Sequence, residues 1–163
     1  MLGDEELSLV DEFCYLEQVM SADCRDDKDI EKQLRRKNAV GNMLVRKYSF
    51  APMETNIQLS KSYYCPLYGC ALWRHSYIYS IRKLTVSSSD TFKRLINVAR
   101  YTSSSLEFAM NAADHINVVF RKSAYNFMGR GTTSPNSIVT AIVNTDAYQQ
   151  SPLMYTCQSM LYV

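Results

Sequence analysis

Residues 24–48 read CRDDKDIEKQLRRKNAVGNMLVRKY. Projected at about 100° per residue, Ile30, Leu34, Gly41, Leu44, Val45 and Tyr48 fall along one stripe. Arg25, Lys28, Lys32, Arg35, Arg36, Arg46 and Lys47 gather in a sector of roughly 120° on the other side. Only Lys37 among the basic residues of the stretch lies near the apolar stripe. The pattern predicts a helix that buries one face and turns cations outward. Asp26, Asp27, Asp29 and Glu31 stand in its first turns and Arg46 and Lys47 in its last, as the helix dipole favours. Such a face is either simply solvated or a track for phosphates.

Outward from this helix, the chain divides by charge. Residues 1–31 hold 11 acidic and 2 basic side chains, net −9; residues 32–163 hold 5 acidic and 16 basic, net +11, and the two sum to +2. The field of the larger part favours polyanions. A length of 163 residues suits one domain with a real core, and 47% hydrophobic residues argue against disorder. There is no apolar run long enough for a membrane helix, no secretory pattern and no Asn-x-Ser/Thr sequon, which points to an intracellular protein of the nucleus or cytoplasm with no membrane partner.

Before the basic helix, residues 8–20 place Val10, Phe13, Tyr15 and Val19 where a short strand or hairpin would use them. Ser21-Ala22-Asp23 supplies capping chemistry. After the helix, Pro52 opens a second one over 52–74, with Met53, Ile57, Tyr64 and Tyr68 along one side; Pro66 either kinks it or ends its first half. A third is expected over 76–99, with Tyr77, Ile81, Leu84, Ser88, Phe92, Leu95 and Ile96 on one side and its middle weakened by Ser87-Ser88-Ser89. Shorter helices follow over 104–112 and, capped by Asp114, over 115–128; 129–135 reads as a loop and 137–149 as a last helix. The fold class is therefore mainly α, a short N-terminal β-hairpin followed by five to six helices.

Catalytic parts are sparse. His75 and His115 have no nucleophile context, and there is no phosphate-cradling or dinucleotide glycine loop. Asp26-Asp27 reads as helix-start acid, not as a magnesium pair. Cys65, Cys70 and His75 lack the close cysteine pair of a zinc site, so packed, reduced thiols are expected, with no metal and no cofactor. Tyr63, Tyr64, Tyr68, Trp73, Tyr77 and Tyr79 lie among Lys61, Arg74 and Arg82, where rings can stack on unpaired bases; helical spacing favours core packing instead.

Several words recur in a fixed order: Phe13-Cys14-Tyr15-Leu16, Ser21-Ala22-Asp23, Asp29-Ile30-Glu31-Lys32, Asn38-Ala39-Val40, Met43-Leu44, YYCPLYGCALW over 63–73 and Phe92-Lys93-Arg94-Leu95. Together, from residue 8 to about 130, they resemble the region just after the catalytic palm of LINE-type, non-long-terminal-repeat retrotransposon reverse transcriptases. In that family a Phe-x-Tyr-Leu-Gly hairpin is the primer grip, and the helices after it form the thumb that holds template and primer.

The resemblance implies that Phe13, Tyr15 and Leu16 correspond to the grip and that residues 1–23 are an acidic head carrying it. Residues 24–75 would be thumb-like helices in a thumb-like helical bundle, and residues 76–163 the helical region beyond. Lys28, Lys32, Arg35, Arg36, Arg46 and Lys47 would contact the backbone of RNA or an RNA–DNA duplex, alongside a separate reverse-transcriptase palm. The family's glycine is replaced here by Glu17, which repels phosphate and lacks glycine's conformational freedom. The palm's Tyr/Phe-x-Asp-Asp loop is missing, so the fragment would be non-catalytic. The alternatives are a helical protein-interaction module and a non-functional, retrotransposon-derived relic.

Overall fold

A computed structural model describes residues 10–64, 67–73, 76 and 78–161. The architecture is mainly α: a two-stranded antiparallel hairpin, β1 (Glu12–Tyr15) and β2 (Gln18–Ser21), followed by helices. These are α1 (Asp27–Tyr48), α2 (Met53–Leu59), α3 (Ile78–Leu95), α4 (Ser104–Met110), α5 (Ile116–Thr132), α6 (Ser137–Val143), α7 (Asp146–Gln149) and α8 (Pro152–Leu161). Among the described residues none is long and apolar enough to cross a membrane.

The count exceeds the five to six expected because the stretch 137–149 is broken in two and the tail after Pro152, where no helix was expected, forms one. The stretch 52–74 ends its α-helix at Leu59, widens into a π turn over Ser60–Tyr64 and resumes as a 3-10 turn at Cys70–Leu72. Gly69 precedes that turn at φ +72°, and a Cβ there would lie 2.3 Å from Gln18 Nε2. Met53 and Tyr68 are consequently exposed, not on a shared buried side; Pro66 and the Tyr64 side chain lie outside the described residues. The stretch 137–149 breaks at Asn144, where the Thr145 hydroxyl accepts the Tyr148 N–H and starts α7.

Other boundaries shift for local reasons. Helix α5 runs on through Gly129-Arg130-Gly131-Thr132, the predicted loop, and the Thr132 and Thr133 hydroxyls donate to the Gly129 carbonyl as it ends. Its cap is His115, which accepts the Asn117 N–H; Asp114 instead pairs with Lys122 at 2.6 Å. The serine run of α3 leaves the helix unbroken, because Ser89 bonds back to the Thr85 carbonyl and Ser87 bonds across to Asn38. The tail after Pro152 forms α8 against α5, burying Met154 and Cys157.

Helices α1 and α3 lie side by side and run in the same direction. Ser80 donates to Asp27 at their starts, Ser87 to Asn38 halfway along, and Arg94 to Asn42 near their ends. Between and around them the core forms three clusters. Ile30, Leu34, Trp73, Leu84 and Ile116 make the first, Phe92, Ile96 and Phe108 the second, and Leu44 with Leu95 the third. Helix α3 contributes to all three and is the spine of the packing.

Candidate nucleic-acid interface

The hairpin connects its strands through Leu16 and Glu17, both at positive φ (45° and 69°). A two-residue turn of this kind matches strand twist but asks for Asn-Gly, since each side chain in that region costs roughly 1–2 kcal/mol. Glu17 thus occupies a glycine-type position. Replacing it with glycine is expected to raise stability by about 1 kcal/mol, because the exposed ion pair that is lost offsets only part of the strain relieved. A urea midpoint for E17G at or below that of the parent overturns this.

One face of the hairpin, with Glu12, Cys14 and Val19, lies on α1. Lys28 donates to Glu12 at 2.6 Å, a contact that pushes the lysine's pKa up. Lys32 reaches the Glu17 carbonyl at 2.8 Å and lies 3.2 Å from Cys14 Sγ, and Arg36 reaches the Glu17 carboxylate at 2.7 Å. Beneath them Asp29, only 2% exposed, accepts the Val19 N–H at 3.1 Å and the Trp73 indole N–H at 2.8 Å. Asp29 therefore serves as a tie between hairpin, helix and core, not merely as a charge for the helix dipole. Asp23, expected as capping chemistry, closes a turn with Ser21 and the Arg25 N–H; the Ser21 hydroxyl above all holds its carboxyl below the usual range.

The six basic residues expected to meet nucleic acid separate into two groups. Lys28, Lys32 and Arg36 are engaged by the hairpin, as above. Arg35 is exposed and holds Glu31 one turn away at 3.6 Å, while Arg46 and Lys47 are exposed with no charged partner among the described residues. Lys37 is buried, as its place near the apolar stripe implied. Phe13 and Tyr15 stack at 6.3 Å on the outer face of the hairpin and are more than half exposed, with Leu16 and Met20 beside them.

Of the cations on α3, the sequence reading named Arg82 beside the aromatic residues but missed Lys83 and Arg94. Arg82, Lys83 and Arg94 line the seam between α1 and α3, together with Tyr79. Tyr63, Tyr68 and Tyr79 are exposed and only Trp73 is buried, so the core-packing expectation for the aromatic cluster holds for the tryptophan alone among these four. Of the cysteines, Cys70 and Cys157 are buried, and burial pushes both thiols up, whereas Cys14 and Cys24 are exposed and not packed as expected. Cys65 and His75 lie outside the described residues. The chain matches no protein-family model, no curated protein and no solved structure in the comparisons made.

Proposed function

We propose that this chain is a non-catalytic fragment, resembling the thumb of a retrotransposon RNA-directed DNA polymerase, that binds template–primer nucleic acid inside the cell through its sugar-phosphate backbone. The observation that supports this most is the outward face of α1. Arg35, Arg46 and Lys47 are carried on a 22-residue helix anchored by its buried stripe, and the last two are exposed with no carboxylate partner among the described residues. Cations held on a rigid rod release counterions from a polyanion at little ordering cost.

The triple variant R35A/R46A/K47A is expected to bind an RNA–DNA hybrid about tenfold more weakly at low salt. The slope of log K against log salt should flatten by about two to three. Parent protein whose binding is absent or indifferent to salt sinks the proposal. Lys28, Lys32 and Arg36 contribute through whatever share of their charge Glu12 and Glu17 leave exposed, so E17G should tighten binding as well as stabilise the hairpin.

A second reading, a protein-interaction module, is supported by the apolar outer face of the hairpin. Phe13, Tyr15, Leu16 and Met20 present it to solvent, and a separate reverse-transcriptase palm is the partner the resemblance implies. Retention of such a palm after nuclease treatment, lost on Phe13→Ala, separates this reading from the first.

A further inference from the structure

Along the outer seam of α1 and α3 runs a groove of about 610 Å³, lined by Asn38 and Asn42 on one side and by Tyr79, Arg82, Lys83 and Arg94 on the other. It continues into a second hollow of about 290 Å³ that shares Tyr79 and Lys83 and reaches Asp27 and Ser80. We propose that this seam is a track for one unpaired nucleic-acid strand, with phosphates on Arg82, Lys83 and Arg94 and a base stacked on Tyr79. The inference rests on the nucleic-acid reading above, but of the six α1 cations only Lys28 borders the seam, in the second hollow.

The charge balance of the groove carries the argument. Each carboxylate along it already has a basic partner: Asp27 has Arg25 at 3.1 Å, Glu31 has Arg35 at 3.6 Å, and Asp90 has Arg100 at 2.7 Å. Arg82 and Lys83 have no charged partner among the described residues, and Arg94 has only the carboxamide of Asn42 at 3.3 Å. The seam therefore holds three uncompensated cations and asks for an anion. Their spacing asks for an extended one. Eleven to twelve helical residues separate Arg94 from the Arg82-Lys83 pair, about 17 Å at ~1.5 Å rise. That span covers up to about five nucleotides, the number reached at the ~3.4 Å per nucleotide of a fully stacked strand, and fewer as the strand extends.

One further feature favours a nucleic-acid strand over an acidic peptide. Tyr79 is 72% exposed at the junction of the two hollows, an aromatic face that has no partner ring among the described residues. A base has a face to place on it, and a run of carboxylates does not.

The test uses the full chain and fluorescence anisotropy, with labelled ten-residue oligo(dT) and oligo(U), an RNA–DNA hybrid of equal length, and poly-glutamate as competitor. R82A/K83A and R94A should each weaken single-strand binding at least fivefold and reduce its salt slope. Y79A should weaken it about tenfold, while Y79F stays within twofold of the parent. An oligonucleotide carrying 5-iodouracil should photo-crosslink to the peptide containing Tyr79. All four positions are exposed, and circular dichroism verifies each variant's fold. Poly-glutamate competing as well as oligo(dT), with Y79A silent, makes the groove a site for an acidic protein and overturns the proposal. Groove variants that bind single strands like the parent also overturn it, even where R35A/R46A/K47A loses the hybrid and the broader function stands. A parent that binds neither nucleic acid removes both.

Discussion

Asp29→Ala is expected to lower the unfolding free energy by about 3 kcal/mol, with a lower urea midpoint and an unchanged m-value. One buried and one part-buried N–H donor, the Trp73 indole and the Val19 amide, lose their acceptor together. Each such loss costs roughly 1–3 kcal/mol. Trp73 is the only tryptophan, so its fluorescence reads the transition from within the affected network. Trp73→Phe, followed by far-ultraviolet circular dichroism because it removes the fluorophore, deletes one donor and leaves a carboxylate oxygen unpaired, and should cost less than D29A. The double variant should cost less than the sum of the singles, since the two share one bond. Strict additivity, or a D29A midpoint within error of the parent's, would show that the tie is not a stabilising one. Total stabilities of single domains are only about 5–15 kcal/mol, so this one carboxylate accounts for a sizeable part.

Asp29 also shows where a sequence can and cannot be read. The helix around it was legible because its apolar positions recur at helical spacing, and the observed α1 starts and ends within three residues of the stretch chosen. The role of Asp29 was not. An acid in a first turn has a sufficient local explanation in the helix dipole, and nothing local reveals that a tryptophan 44 positions later comes to meet it. The same limit hid the α1–α3 seam. On α3 alone Arg82 stands out only as a neighbour of tyrosines and Lys83 not at all, and only the same-direction packing of α1 beside it puts Asn38, Asn42 and three cations around one groove.

Where the helix phase was interrupted, the reading failed in a different way. The sequence reads 52–74 as helix interrupted only at Pro66, but the π turn at Ser60–Tyr64 and the positive φ of Gly69 rotate that stretch, and the rings of Tyr63 and Tyr68 end in solvent. Glycine misled in the opposite sense at 129 and 131. There α5 continues, since a Cβ at Gly129 would meet nothing and its carbonyl is satisfied by threonine hydroxyls. Punctuation residues mark where a helix can stop, and packing decides whether it does.

The second large effect belongs to Phe92→Ala, expected to cost about 3–5 kcal/mol. Phe92 is fully buried, and its ring stacks on Phe108 with centroids 4.4 Å apart and planes 13° from parallel. A void of about 10 Å³ already adjoins it, lined also by Lys37, Ser88 and Ile116. Truncation would enlarge this void into a cavity with a cation and a hydroxyl on its wall, and Ser88 Oγ has no partner among the described residues. Such a cavity takes up water, unlike one lined by hydrocarbon alone. Phe92→Leu fills most of the space and should cost about 1–1.5 kcal/mol. The measurement is urea unfolding followed both by Trp73 fluorescence and by far-ultraviolet circular dichroism. Phe92 and Trp73 lie in different clusters, but α3 runs through both, so the two probes should shift together by the same amount. If the fluorescence midpoint stays in place while the dichroism midpoint falls, the region around Phe92 opens on its own. In that case α3 does not act as the common spine, and the ends of the α1–α3 seam are not held in register by a single cooperative unit.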